Sequence, residues 1–269
     1  MSEVTLENLS RNTIHTTAVA TEKAARQVRS VPKLLQASVA LVVMAGTAPA
    51  MAQTWDLATQ LELGAVITSG NTEDENIRFK GQFDAAREQW SYLVSMEGFR
   101  SSKDDELAAQ RLYTVGSAAY NFDPSHFVIS RLAHEDDRFS GYDSQTDFSV
   151  SYGQELLRNT EVMTLKYTIG AGVRRSVEDG PAGETFNEGI VRLSTDYRWN
   201  LSDNARFIQA LSVDAGEETT IGRSETAIES DIMSNLSMKF AVKVRHQTAV
   251  PLGREKTDTE FAATLLLRF

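Results

Sequence analysis

Thr257-Asp258-Thr259-Glu260-Phe261-Ala262-Ala263-Thr264-Leu265-Leu266-Leu267-Arg268-Phe269, the last stretch of the chain, decides the fold. Its odd positions, Thr259, Phe261, Ala263, Leu265, Leu267 and Phe269, are mostly apolar. Its even positions, Asp258, Glu260, Ala262, Thr264, Leu266 and Arg268, carry all of its charge. A period of two with one greasy face is that of a half-buried strand. At roughly 10 residues, with the chain ending on an aromatic, it is the expected closing strand of a transmembrane β-barrel.

Composition permits this fold and excludes others. With 269 residues, 41% of them hydrophobic, and a mean hydropathy of −0.29, the chain holds no run of about 20 apolar residues and is not a helical membrane protein. A barrel hides its membrane signal in alternation, so an average hydropathy like that of a soluble protein is no obstacle. The absence of cysteine removes disulfides and thiolate chemistry. A net charge of −10 disfavours nucleic acid as a partner, because phosphate backbones select basic faces.

The N-terminal segment reads as an address. Arg26, Arg29 and Lys33 precede the apolar run Leu34 to Ala45, followed by the small-residue sites Ala48-Pro49-Ala50 and Ala50-Met51-Ala52. This is the layout of a secretory signal peptide cleaved after Ala52. The apolar run is too short to span hydrocarbon. Residues before Arg26 fit no part of that layout. Two regions are therefore expected: residues 1–52, an extension plus cleaved signal, and residues 53–269, the barrel.

Alternation recurs along the mature part. Strand one, Trp55 to Ser69, sets Trp55, Leu57, Leu61, Leu63, Ala65 and Ile67 against Asp56, Gln60, Glu62 and Thr68. A turn follows at Ser69, Gly70, Asn71 and Thr72, residues that tolerate positive φ or bond their own backbone. In the second strand, Asn76 to Ala85, Ile77, Phe79, Phe83 and Ala85 oppose Arg78, Lys80, Gln82 and Asp84. On a helix those polar residues would scatter. Further strands are read at Trp90 to Arg100, Gln110 to Phe122, Asp147 to Leu156, Val162 to Arg174, around Arg192 to Trp199, around Arg206 to Asp214, Glu225 to Met233 and Met238 to Arg245. In His126 to Glu135, Phe127 and Ile129 share a parity with Arg131 and Glu135, so its orientation is left open. The total is about twelve antiparallel strands in an up-and-down all-β barrel, an even number as bacterial single-chain barrels have.

Connections are expected to alternate. Those near Glu88, Pro124, Asn159, Asp203 and Asn235 read as short. Those at Ser101 to Ala108, Asp136 to Gln145, Glu178 to Phe186, Gly216 to Arg223 and Pro251 to Lys256 read as longer and polar. Short periplasmic turns and longer outer loops put both termini in the periplasm. Trp55, Trp90, Tyr92, Tyr120, Phe122, Trp199 and Phe207 fall near one rim, as an aromatic girdle at headgroup level would.

With its Thr68-Ser69-Gly70-Asn71-Thr72-Glu73 hairpin, late Lys256-Thr257-Asp258-Thr259 run and terminal Leu267-Arg268-Phe269, the chain resembles the YdiY-like family of salt-induced outer-membrane proteins, a domain of unknown function. The resemblance spans nearly all of the mature chain. It implies an outer-membrane location, contact with outer-membrane lipid and lipopolysaccharide, and an envelope response to ionic conditions. It supplies no catalytic residues. The terminal Phe269 likewise resembles the signal that hands bacterial barrels to their assembly machinery.

Candidate chemistry is sparse. After processing only His126, His134 and His246 remain, and no Gly-x-Ser-x-Gly elbow occurs. An outer-membrane lipid hydrolase using His134 or His246 is the less favoured alternative to a non-enzyme. No cofactor is expected. The inward face offers more: Arg78, Lys80, Arg111, Lys166, Arg192 and Lys243 are the candidate lumen-lining residues, accompanied by carboxylates such as Glu62, Glu97, Asp196, Asp214 and Glu260. Paired across strands, these charges would stitch the lumen into a rigid structural barrel. Segregated, they would line a narrow ion or small-solute channel. The acidic groups Asp104-Asp105-Glu106, Glu135-Asp136-Asp137, Glu178-Asp179 and Glu217-Glu218, read as outer loops, could take divalent cations, though none has the spacing of a calcium loop.

Overall fold

The computed structural model describes residues 55–68, 74–103, 106–137, 142–157, 162–178, 184–250 and 255–269. The signal-peptide region and the hairpin turn Ser69, Gly70, Asn71 and Thr72 lie outside these.

Twelve strands follow one another: β1 Asp56–Thr68, β2 Asp74–Arg87, β3 Trp90–Lys103, β4 Glu106–Asn121, β5 His126–Asp137, β6 Tyr142–Leu156, β7 Met163–Glu178, β8 Thr185–Ser202, β9 Ala205–Gly216, β10 Thr220–Met233, β11 Leu236–Gln247 and β12 Thr257–Arg268. Each pairs antiparallel with its sequence neighbours, and β1 pairs with β12 to close the barrel. The seam is locked at Phe269, whose backbone exchanges two hydrogen bonds with Thr59 (2.9 and 3.1 Å).

The period of two sorts side chains by face. Leu63, Ile77, Val173, Phe240 and Phe261 point outward and are exposed, while Glu62, Arg78, Arg174 and Asp214 on the opposite parity are buried. This inverts the usual soluble arrangement, as expected where lipid rather than a packed core covers the apolar face. At one end Trp55, Tyr92, Trp90, Tyr120 and Phe122 form a chain of ring contacts with centroids 5.1 to 6.1 Å apart. This end carries the tight turns 88–89, 203–204 and 234–235 and is called the turn end below; the other is the loop end. Glu88 takes φ 54°, as a two-residue hairpin turn demands. In the 122–125 turn the Asp123 carboxylate accepts the Ser125 N–H (2.7 Å), the His126 N–H (3.0 Å) and a contact from the His126 ring (2.8 Å). The Ser125 N–H first, and then the His126 ring, hold its pKa below the ordinary value. Its contribution is therefore complete at neutral pH and is lost only as pH falls through that lowered value.

One expectation is corrected and one open reading is resolved. The alternation of short turns with long loops is much weaker than the sequence suggests. β3 and β4 run to within 104–105 of each other, β10 begins at Thr220 rather than Glu225, and β9 and β10 are separated by 217–219 alone. Polar residues mark where an apolar belt stops, whereas the hydrogen-bond ladder continues past it. The orientation of β5 is also resolved. Phe127 and Ile129 face inward with Arg131 and Glu135, because Leu132 and His134, of opposite parity, are exposed. The lumen accommodates Phe127 because it lies against Gly153, where a Cβ would come within 2.3 Å of the ring.

Strands β6 and β7 approach so closely that a Cβ at Gly172 would fall 2.0 Å from the Phe148 carbonyl oxygen and 2.8 Å from Ser149 Cα. Backbone, unlike a flexible side-chain tip, cannot yield. Gly172→Val is expected to destabilise the barrel by about 1–3 kcal/mol, read as a lower urea midpoint of the refolded protein in micelles. An unchanged midpoint would mean the β6–β7 approach is looser than described.

Candidate functional site

The chemistry of this chain lies in the lumen, and register builds it. Where one strand sends a base inward, its direct cross-strand partner commonly sends an acid. Glu62 stands opposite Lys80, which stands opposite Glu97. Glu225, Lys243 and Glu260 form a row across β10, β11 and β12. Arg174 sits between Asp147 and Glu188, Lys166 between Glu155 and Asp196, and Arg192 opposite Asp214. Opposite charges at these positions stabilise the pairing, and like charges would oppose it.

Strand tilt and long side chains carry contacts beyond nearest neighbours. At the loop end, Glu135 of β5 accepts Arg245 Nη2 of β11 at 3.2 Å and Arg223 Nη2 of β10 at 3.1 Å. β5 and β11 stand half-way round the ring from each other, so this bridge crosses the full lumen. Gln145 of β6 reinforces it, accepting Arg245 Nη2 at 3.1 Å and Gln247 Nε2 at 3.4 Å. Beside the bridge, the fully buried Arg174 donates Nε to Asp147 (2.9 Å), Nη1 to Glu188 (3.2 Å) and Nη1 to the Thr219 carbonyl (3.2 Å). Glu188 also accepts the N–H groups of Glu218 (2.9 Å) and Thr219 (3.4 Å). The 217–219 turn is thereby drawn onto the lumen, with Ile221 at 0% and Ile190 at 3% exposure filling the space between the charges.

A second layer lies nearer the middle. Lys243 Nζ reaches Glu97 at 2.9 Å and Glu225 at 3.4 Å, and Lys239 Nζ reaches Glu225 at 2.6 Å and Glu62 at 3.4 Å. Arg78 is bonded to both Glu97 and Glu260, and Arg111 lies 3.3 Å from Glu260. Below it Ala227, Ala241 and Ala262 form a strip of small apolar side chains with Ile208. At the turn end Arg206 and Arg268 pair with Asp231 and Glu229. A polar cavity of about 300 Å³ remains between the first two layers, with Lys80, Arg192, Asp196 and Glu225 among its walls.

Of the six expected lumen residues, Lys80, Arg111 and Lys243 line this cavity, Arg192 faces it with its guanidinium 2.5 Å from Asp214, and Arg78 points inward beside it, paired with the lining carboxylates Glu97 and Glu260. Lys166 points inward but lies apart from the cavity, half-exposed and 3.3 Å from Glu155. Phe269 sits on the β1–β12 seam. Glu135, Glu188, Arg131 and Arg223 were missed. Glu135 reads in the sequence as a solvated loop carboxylate and is instead 5% exposed and ion-paired within a strand. Its signal was the parity of β5, which only Leu132 and His134 on the other face could have decoded. Glu178 likewise closes β7. Asp104, Asp105 and Asp179 lie outside the described residues, and among those described no cluster of three acidic or imidazole groups is placed to hold a metal. His134 and His246 are on the outward face, each bonded to a threonine: Thr146 at 2.9 Å and Thr257 at 2.8 Å.

A closed twelve-strand barrel with an apolar exterior and an ion-paired interior defines an outer-membrane-type barrel. The NanC porin has this fold, superposing with a TM-score of 0.50 at 8% identity over 79% of this chain and 98% of that one. An outer-membrane channel of Pseudomonas putida F1 gives 0.48 at 8% identity, over 80% and 95%. The family model described as "Protein of unknown function, DUF481" matches residues 61–269, and the chain belongs to that family. It is also 26% identical over 206 residues to "Uncharacterized protein YdiY" of Escherichia coli (strain K12), covering 76% of this chain and 80% of that protein.

Removing Arg174 would strand two buried carboxylates. Arg174→Met is expected to lower stability by about 3–5 kcal/mol, measured by urea unfolding in micelles, with loss of the compact unheated band on a gel. A cost below about 1 kcal/mol, the value of a surface pair, would contradict the burial described.

Proposed function

We propose that this protein is an outer-membrane barrel whose lumen is held closed by its own ion pairs, and that it serves envelope architecture, in a response to ionic conditions, rather than free passage of solutes. Export by the signal peptide, recognition of Phe269 by the assembly machinery, and contact of the apolar belt with outer-membrane lipid and lipopolysaccharide are parts of this reading. Divalent cations would meet the exposed carboxylates Asp136, Glu217 and Glu218 at the loop end. One observation carries the proposal: the Glu135–Arg245 bridge joins opposite walls of the barrel. Side chains that span a lumen divide it and narrow any water path at that level. Their removal from the path would require breaking a buried pair, which costs several kcal/mol.

A narrow ion channel is the second reading, favoured by the polar cavity beneath the bridge. Planar-bilayer recording across a salt series separates the two. The refolded wild type is expected to give no discrete steps, and the Glu135→Ala, Arg223→Ala, Arg245→Ala triple variant is expected to open. Steady unitary steps from the wild type would reject closure and favour the channel.

A further inference from the structure

Six acids and six bases line the lumen cavity, and most of them are used up on one another. Glu135 takes Arg223 and Arg245, Glu260 takes Arg78 and Arg111, and Lys243 joins Glu97 to Glu225. Two lining charges of opposite sign are left over. Lys80 stands between Glu62 and Glu97 in register. Glu62, however, is engaged by Lys239 at 3.4 Å and by the Thr264 hydroxyl at 2.9 Å, and Glu97 by Lys243 at 2.9 Å and by Arg78. Asp196 stands opposite Lys166, which turns instead to Glu155 at 3.3 Å. The nearest inward base on its own strand, Arg192, turns to Asp214 at 2.5 Å. Among the described residues neither Lys80 nor Asp196 makes an ion pair or a hydrogen bond. Both reach the cavity, Lys80 half-buried and Asp196 exposed. They do so from opposite walls, since β2 and β8 stand half-way round the ring from each other. Asp258, the other lining charge without an ion pair, lies exposed at the start of β12, on the loop-end rim.

A charge drawn partly out of water is satisfied by an opposite charge or by polar groups that replace its hydration. Lys80 feels Glu97 and Glu225 at longer range, and Asp196 feels Lys166, Arg192 and Arg198, but none of these closes a contact. A lone anion would serve Lys80 and leave Asp196 bare, and a lone cation would do the converse. One molecule carrying both signs serves both, and tethering its ends makes the second contact intramolecular. We propose that the cavity binds one small zwitterion, with its carboxylate on the Lys80 ammonium and its ammonium on the Asp196 carboxylate. Ser95 and Ser212, on the same walls, add hydroxyls to the site. The equal number of acids and bases in the lining favours a ligand of no net charge. The volume, about 300 Å³, is at the small end for ligand pockets and suits a single amino acid rather than a peptide. Toward the turn end the inward side chains Lys166 and Arg198 are exposed, so the approach lies on that side, away from the Glu135–Arg245 bridge.

This goes beyond the closed-lumen reading, does not rest on it, and is tested apart from it, in micelles rather than across a bilayer. The folded protein, in an uncharged detergent near neutral pH and at low ionic strength, is titrated calorimetrically with glycine, β-alanine, γ-aminobutyrate and ε-aminocaproate. The series varies the span between ammonium and carboxylate. Ethylammonium acetate supplies the same two charges untethered, and glycerol supplies hydroxyls without charge. Saturable one-to-one binding of at least one amino acid of the series is expected, tighter than either control. Lys80→Gln and Asp196→Asn are each expected to weaken it about tenfold or more, as the loss of one charge-assisted contact does. Neither substitution removes an ion pair, so both variants are expected to fold, and if one does not, the other decides. The proposal is overturned if no member of the series binds saturably, or if ethylammonium acetate or glycerol binds as tightly. Unchanged affinity in a folded variant also overturns it, as does failure of both variants to fold, which would make the two charges structural.

Discussion

A charge pointing into a closed sheet has nowhere to go but toward its neighbours. Every inward side chain of this barrel has two flanking strands and an opposite wall, and the structure depends on acids and bases meeting there. The rows Glu62–Lys80–Glu97, Glu225–Lys243–Glu260 and Asp147–Arg174–Glu188 show the rule at work across adjacent strands. Such pairs are near break-even against well-packed apolar residues, yet losing one partner is expensive. Their main effect is therefore on register. A slip of one residue would turn each row of charges outward and each apolar row inward, so alternation and pairing enforce the same alignment.

The bridge from Glu135 to Arg245 and Arg223 extends the rule across the lumen. It is possible because Arg245 and Arg223 are long enough to reach the Glu135 carboxylate from the opposite side of the ring. The closure proposed at the loop end would thus follow from the same charges that set strand pairing.

Much of the barrel was legible in the chain. Alternation alone shows the outward rows of β2, β7, β11 and β12 residue by residue, the number of strands and the aromatic rim from Trp55 to Phe122. What failed has physical reasons. β5 carries Phe127 and Ile129 on its lumen face, because Gly153 provides space for a ring there, so its hydrophobicity points the wrong way. Strand ends were placed too early, since Arg223 and Glu135 are polar and a polar residue reads as loop whether it meets water or a buried partner. Register partners such as Arg174 and Glu188 follow from local alternation once the turns are known. The meeting of Glu135 with Arg245 depends on tilt and barrel closure, which no local pattern encodes.

The central claim is that interior charges couple strands on opposite sides of the barrel. It is tested most directly by a double-mutant cycle between Glu135→Gln and Arg245→Gln, with urea unfolding of each refolded variant in micelles. The account predicts a coupling within about 0.5–3 kcal/mol, as for side chains in one network. Additivity to within roughly 0.3 kcal/mol, with all four proteins folded, would contradict it and leave the lumen without its bridge.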